Sequence, residues 1–332
     1  MNYNPNLKTT HYFVSEEDMM LTQNANWDVN GDYGKGDAIG RSCEAYMCYQ
    51  DLRFIEAIKK CWLKIEKEDG SYYYRPQRYP TSDYYEKDFS RDHTISTFTA
   101  LKWAGEEETI KEIGNNIRFI FRKKNKLKNK VVNHKFTLGL WFWVKALTGK
   151  WWATPLFYLV TYIEVLLYML LNPICYLMGN FGKEMTTEDY IAADLKALKE
   201  NTKRPKRQFA TKWQQFWAKL HFPAFGIHKL SWQIMVMKKS FFKCLLEKMA
   251  LTLVPRYNYL LKLNLGSKKV NKTDILNCKT TGGTRWTTTL NITNDRDVRF
   301  LTDPKLTEAN NQDIDILKAM WNHLHPKDKI EV

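Results

Sequence analysis

A mostly α chain of antiparallel helical hairpins is what this sequence predicts, on three observations. Glycine and proline are sparse, 15 and 10 in 332 residues, too few for a turn-rich β architecture. Apolar residues recur at three- and four-residue intervals, the period of a helix with one buried face. The breaks between these segments are short, and short connections make consecutive helices antiparallel neighbours.

In chain order, residues 1–27 are polar and read as an N-terminal arm, and residues 28–332 as a single helical domain. The first helical pattern runs from Gly36 to Gln50. Phe54 to Glu66 is expected as the second helix, because Phe54, Ile55, Ile58, Cys61, Trp62 and Ile65 share one face. Gly70 to Pro80 is extended and closed by Pro76 and Pro80. Asp92 to Trp103 follows as a helix, capped by Ser90 or Asp92 and stopped by Gly105. Thr109 to Arg122 is its antiparallel partner. Two hairpins result, each an inner helix followed by an outer one, which is how helices stack in an (α/α) toroid-like array.

The middle changes character. Residues 136–181 form an apolar, aromatic insertion that includes Leu138 to Val144, Trp151-Trp152 and Leu156 to Leu171, where Thr161 and Glu164 alone are not apolar. It is expected as a long apolar helical hairpin turning near Thr148-Gly149-Lys150. Trp151 to Phe181 has the length of a membrane span, about 20 residues. The insertion therefore fits a membrane-embedded or interfacial hairpin, or equally a buried helix pair or subunit interface. Thr187–Glu200, Thr211–Leu220, Leu230–Lys238, Phe241–Leu265 and Ile314–Leu324 return to the helical pattern, with Pro255 kinking or breaking the fourth. Residues 267–309 are polar and read as a long functional or lid loop.

The charge is +15. Arg118 to Lys135 holds eight Lys/Arg and no acid, and Lys196 to Lys219 holds eight against one Glu. Such a balance attracts polyanions such as anionic headgroups, acidic polysaccharide or nucleic acid. With no zinc-finger spacing, no ribonucleoprotein motif and no recognition helix, sequence-specific nucleic-acid reading is not expected. The six cysteines show no C-x2-C spacing and are expected reduced, with no metal or other cofactor. Asn271 and Asn291 are Asn-x-Thr sequons, relevant only to a secreted chain. Residues 1–21 lack the apolar core of a signal peptide, so a cytoplasmic or virion location is expected, with peripheral membrane association through 136–181. There is no phosphate loop, no His-Glu-x-x-His and no Gly-x-Ser-x-Gly elbow.

Two acidic motifs remain. In Gly36-Asp37-Ala38-Ile39-Gly40-Arg41, Asp37 stands at a helix start and shares a face with Arg41, Glu44 and Cys48. Ser90-Arg91-Asp92-His93 opens the next inner helix. Capping carboxylates and an i,i+4 ion pair account for both. Alternatively, Asp37 and Asp92 face each other across a toroid mouth as an acid/base pair. Arg41, Arg91 and His93 would then orient a substrate, beside Tyr74 and Arg75 of the tyrosine-rich stretch. His228, Trp232 and Trp286 would supply further contacts, although packing accounts equally well for any single ring.

These two motifs resemble those of (α/α)-toroid carbohydrate-active enzymes, of the glucoamylase-like and unsaturated-glucuronyl-hydrolase-like kinds. The resemblance covers residues 28–122. It implies a glycan-acting protein, a candidate glycoside hydrolase, that hydrolyses or binds a neutral or acidic polysaccharide in a toroid cleft. The Lys/Asn-rich, Trp-heavy composition also resembles that of bacteriophage proteins. It points to the alternative, a non-catalytic structural or assembly protein docking on a membrane or protein partner through residues 136–181.

Overall fold

The computed structural model describes residues 13–14, 21–22, 43, 46–60, 62–76, 91–117, 134–179, 224–254, 258–279, 291–293, 297–299 and 311–332. They are mostly helical, with three two-stranded antiparallel ladders. The chain divides into two compact units, the first made of Met1–Tyr162, Trp232–Leu246 and Asp315–Val332, the second of Ile163–Ser231 and Glu247–Ile314.

In the first unit a short ladder joins β1 (Phe13–Val14) to β2 (Leu21–Thr22). Residues 46–49 are helical, and α1 (Leu52–Lys60) follows, burying Phe54, Ile55, Ala57 and Ile58. The helix then stops, contrary to the expectation of one helix to Glu66. Trp62–Glu66 is a strand, β3, paired antiparallel with β4 (Tyr72–Pro76). The turn accounts for the difference. Lys67 N donates to Ser71 O at 2.8 Å, Gly70 adopts φ 76°, and Asp69 Oδ1 accepts from Ser71 N at 2.9 Å. This is the three-residue hairpin closure with a glycine in the left-handed position.

Helix α2 (Arg91–Ala104) is buried continuously from Thr94 to Leu101 and packs against α1, α3 (Glu107–Asn116) and α4 (His134–Leu147). Its polar residues find partners from other elements: Thr97 Oγ1 accepts the Trp62 indole N–H at 2.9 Å, and the Cys43 thiol donates to Ser96 O at 2.6 Å. Gly105 closes α2 where the sequence places the stop, with Glu106 N donating to Leu101 O at 2.9 Å. Helix α3 is shorter than expected, because after Asn116 the chain turns extended and Ile117 bridges to Tyr74. The aromatic core links Trp62 to Phe98 (6.1 Å between ring centres) and Phe98 to Trp143 (6.3 Å). Trp143 Nε1 donates to Gln233 O at 3.1 Å.

The aromatic middle is two helices, α4 and α5 (Ala153–Gly179). Helices α6 (Ala224–Met235) and α7 (Phe241–Leu251) follow. The expected long helix from Phe241 is broken, resuming at α8 (Tyr259–Asn264), which Asn258 caps through its side-chain oxygen. Within 267–309 the described residues form α9 (Lys272–Leu276), closed by an Asn271/Asp274 capping box, and the ladder of β5 (Asn291–Thr293) with β6 (Asp297–Arg299). Helix α10 (Asn311–Leu324) contributes Ile316, Leu317, Met320 and Trp321 to the first unit's core.

Candidate functional site

The first unit holds a cavity of about 760 Å³, within the range of small-molecule sites. Three stretches of chain wall it: the α2–α3 corner (Lys102, Glu107), the chain from Ala146 to Tyr158, and the segment from Val236 to Phe242 between α6 and α7.

Local sequence sets each wall. Between α4 and α5 the chain turns on Gly149, at φ 86°, a conformation that glycine adopts without strain. Gly149 N donates to Ala146 O at 3.0 Å and Lys150 N to Lys145 O at 3.1 Å, so the last carbonyls of α4 are satisfied. Pro155 enters α5 in its first turn, where a backbone N–H would lack an intrahelical acceptor. On the opposite wall Ser240 caps α7, its Oγ accepting from Lys243 N at 3.1 Å. Lys243 Nζ donates to Met235 O at 2.9 Å and Met237 O at 3.0 Å, pinning the turn after α6. The Tyr162 hydroxyl donates to Phe242 O.

The lining is apolar and basic. Leu147, Tyr158 and Met237 are buried in it, and the rings of Tyr158 and Phe242 lie 6.5 Å apart. Among the described lining residues, Lys102, Lys150 and Lys238 are accompanied by one acid, Glu107, which forms an ion pair with Lys102. Lys150 and Lys238 have no ion pair among the described residues. Behind the wall, burial first and then the charge of Lys150 push the Lys145 ammonium below its ordinary range, while its Nζ donates to Gly114 O at 2.8 Å. Among the described lining residues the one acid is already paired, so the charge left to the wall is basic. The wall sets apolar surface beside ammonium groups.

Trp151, in the cavity wall, is 84% exposed, and helix α5 carries an exposed apolar face. Leu156, Leu159, Ile163, Leu166, Leu167, Leu170 and Ile174 are all exposed, and at 100° per residue they share a stripe about 100° wide. Phe157, Tyr158, Thr161 and Val165 occupy the opposite, buried face. The helix is thus apolar on both sides. Among the described residues no helix is long and apolar enough to cross a membrane, and no group of three or more His, Cys, Asp or Glu is placed to hold a metal.

Of the residues singled out from sequence, Asp37, Arg41 and Trp286 lie outside the described residues. Arg91, Asp92 and His93 form the first turn of α2, Arg75 lies in β4, and His228 in α6; their side chains lie outside the described residues. Tyr74 is in β4, where its hydroxyl donates to Glu112 Oε1 at 2.6 Å and its ring meets that of Tyr72 edge-on at 5.9 Å. Burial, and then the Glu112 carboxylate, push the Tyr74 phenol up to about 12. Trp232 is 5% exposed, a core position. Neither Tyr74 nor Trp232 is among the described residues that line the cavity. The described lining residues come from three distant stretches, and of these the Gly149-Lys150-Trp151 turn carries a local sequence signal. No family model matches the chain, and neither a curated protein nor a solved structure is found to be similar to it.

Proposed function

We propose that the chain is a non-catalytic docking protein that rests on anionic membrane surfaces through the outward face of α5. The supporting observation is the exposed stripe from Leu156 to Ile174. Seven large apolar side chains on one face of a 27-residue helix favour a covering by something equally apolar. Trp151 sits where an aromatic anchor meets headgroups, and the two basic runs, at 118–135 and 196–219, favour an anionic bilayer over a neutral protein surface. The helix lies in the interface in this reading and does not span.

The test is flotation with phosphatidylserine-containing vesicles. The full chain is expected to float, and the double variant Leu159→Glu/Leu170→Glu to stay in the dense fraction, since each leucine withdrawn forfeits about 1.5–3 kcal/mol of apolar burial. Both positions are exposed, so folding is expected to survive. Equal flotation of the two proteins would overturn the proposal.

A second reading, a glycan-acting protein of (α/α) toroid build with Asp37 and Asp92 as acid and base, draws support from one feature. Helix α2, which Ser90-Arg91-Asp92-His93 opens, is buried between α1, α3 and α4, as an inner helix would be.

A further inference from the structure

We infer that the cavity binds a single-chain anionic amphiphile: an alkyl chain carrying a carboxylate or phosphate head. This goes beyond the membrane reading, because it concerns an internal site and a ligand that can arrive from solution. Three features converge on that class. The walls offer apolar surface from Leu147, Pro155, Tyr158, Met237 and Phe242, which suits hydrocarbon. At the mouth, Lys150 and Lys238 are exposed and without an ion pair among the described residues, while Glu107, the one acid of the described lining, is held by Lys102. A neutral hydrocarbon would leave those ammonium groups unused, and an inorganic anion would leave the apolar wall unused. An amphiphile uses both.

The wall is also built to persist. Gly149 turns one side, and Lys243, bonded to Met235 O and Met237 O, holds the other. The ligand therefore meets a largely formed site, and little of its binding free energy goes into ordering protein.

Isothermal titration of the full chain tests this, using dodecyl phosphate, laurate, 1-dodecanol and inorganic phosphate below any micelle concentration. Dodecyl phosphate or laurate is expected to fill one site at least about tenfold more tightly than dodecanol, with inorganic phosphate failing to compete. The better of the two acids distinguishes a phospholipid-type head from a free fatty acid. In Lys150→Gln/Lys238→Gln that affinity is expected to fall about tenfold or more, with dodecanol unaffected. Both lysines are exposed, so the variant is expected to fold, which circular dichroism checks. Anions binding no better than dodecanol, phosphate competing fully, or the double variant binding as wild type does would each overturn the inference. No vesicle is present, so failure here is separable from failure of flotation.

Discussion

Tyr74 shows how one contact changes the chemistry of a side chain. Its hydroxyl, at 2.6 Å from Glu112 Oε1, must keep its proton to donate, and a phenolate beside that carboxylate would be repelled. Burial first, and then this carboxylate, push the folded phenol up to about 12, above its ordinary value near 10. A raised value means that the fold holds the proton more tightly than the unfolded chain does. The contribution to stability is present below pH 10 and is lost as pH rises through 12. Ultraviolet difference titration is expected to show one tyrosine ionising last, and Tyr74→Phe to remove that step. A last step that persists in the variant would assign it elsewhere. Tyr74 and Trp232 were both legible as aromatics near predicted boundaries, but not their surroundings: a carboxylate 38 residues away in one case and a core position in the other.

Elements obey the spacing rules unevenly, and the failures have physical reasons. Helix α2 and its Gly105 stop were readable because a left-handed glycine follows an apolar-rich run. Trp62 to Glu66 reads as helix because Phe54, Ile58, Trp62 and Ile65 fit a helical face, while Leu63 and Ile65 alternating with Lys64 and Glu66 also fit a strand's two-residue period. The Asp69-Gly70 pair was the deciding signal. A close helix approach was not readable at all. Gly114 of α3 lies so near α4 and the turn after it that an added Cβ would overlap the Thr148 methyl and come within 3.2 Å of Phe98 and Val144. Gly114→Ala is therefore expected to destabilise the protein by about 1–3 kcal/mol despite its gain in helix propensity. Chemical denaturation measures this, and an unchanged midpoint would mean that the helices have room to separate.

On the scale of the molecule, charge and apolar surface act together. A formal +15 raises the local concentration of the chain near an anionic bilayer, whereas the α5 stripe acts only on contact. The two are separable by salt. Raising ionic strength from about 0.01 to 0.15 M shortens the screening length from about 30 to about 8 Å. Vesicle binding of the full chain is expected to weaken strongly over that range and then level off at the apolar residue. Leu159→Glu/Leu170→Glu is expected to lose that plateau, and a salt-independent affinity would remove charge from the account. The basic runs and the apolar middle were open to inspection in the sequence because composition alone defines them. The cavity was not, since its walls are assembled from residues 102–107, 146–158 and 236–242 only after folding.

The Trp143 indole carries one consequence for biosynthesis. Its N–H partner is the carbonyl of Gln233, ninety residues downstream, and the same unit also needs α10 and the tail beyond it, where Asn322 holds Ile330 at both N and O. A ribosome that has delivered α1 to α4 has delivered a core still open to water on one side. Native closure waits for α6 and α10 to emerge, and until then a nascent chain this rich in tryptophan has reason to engage a holdase.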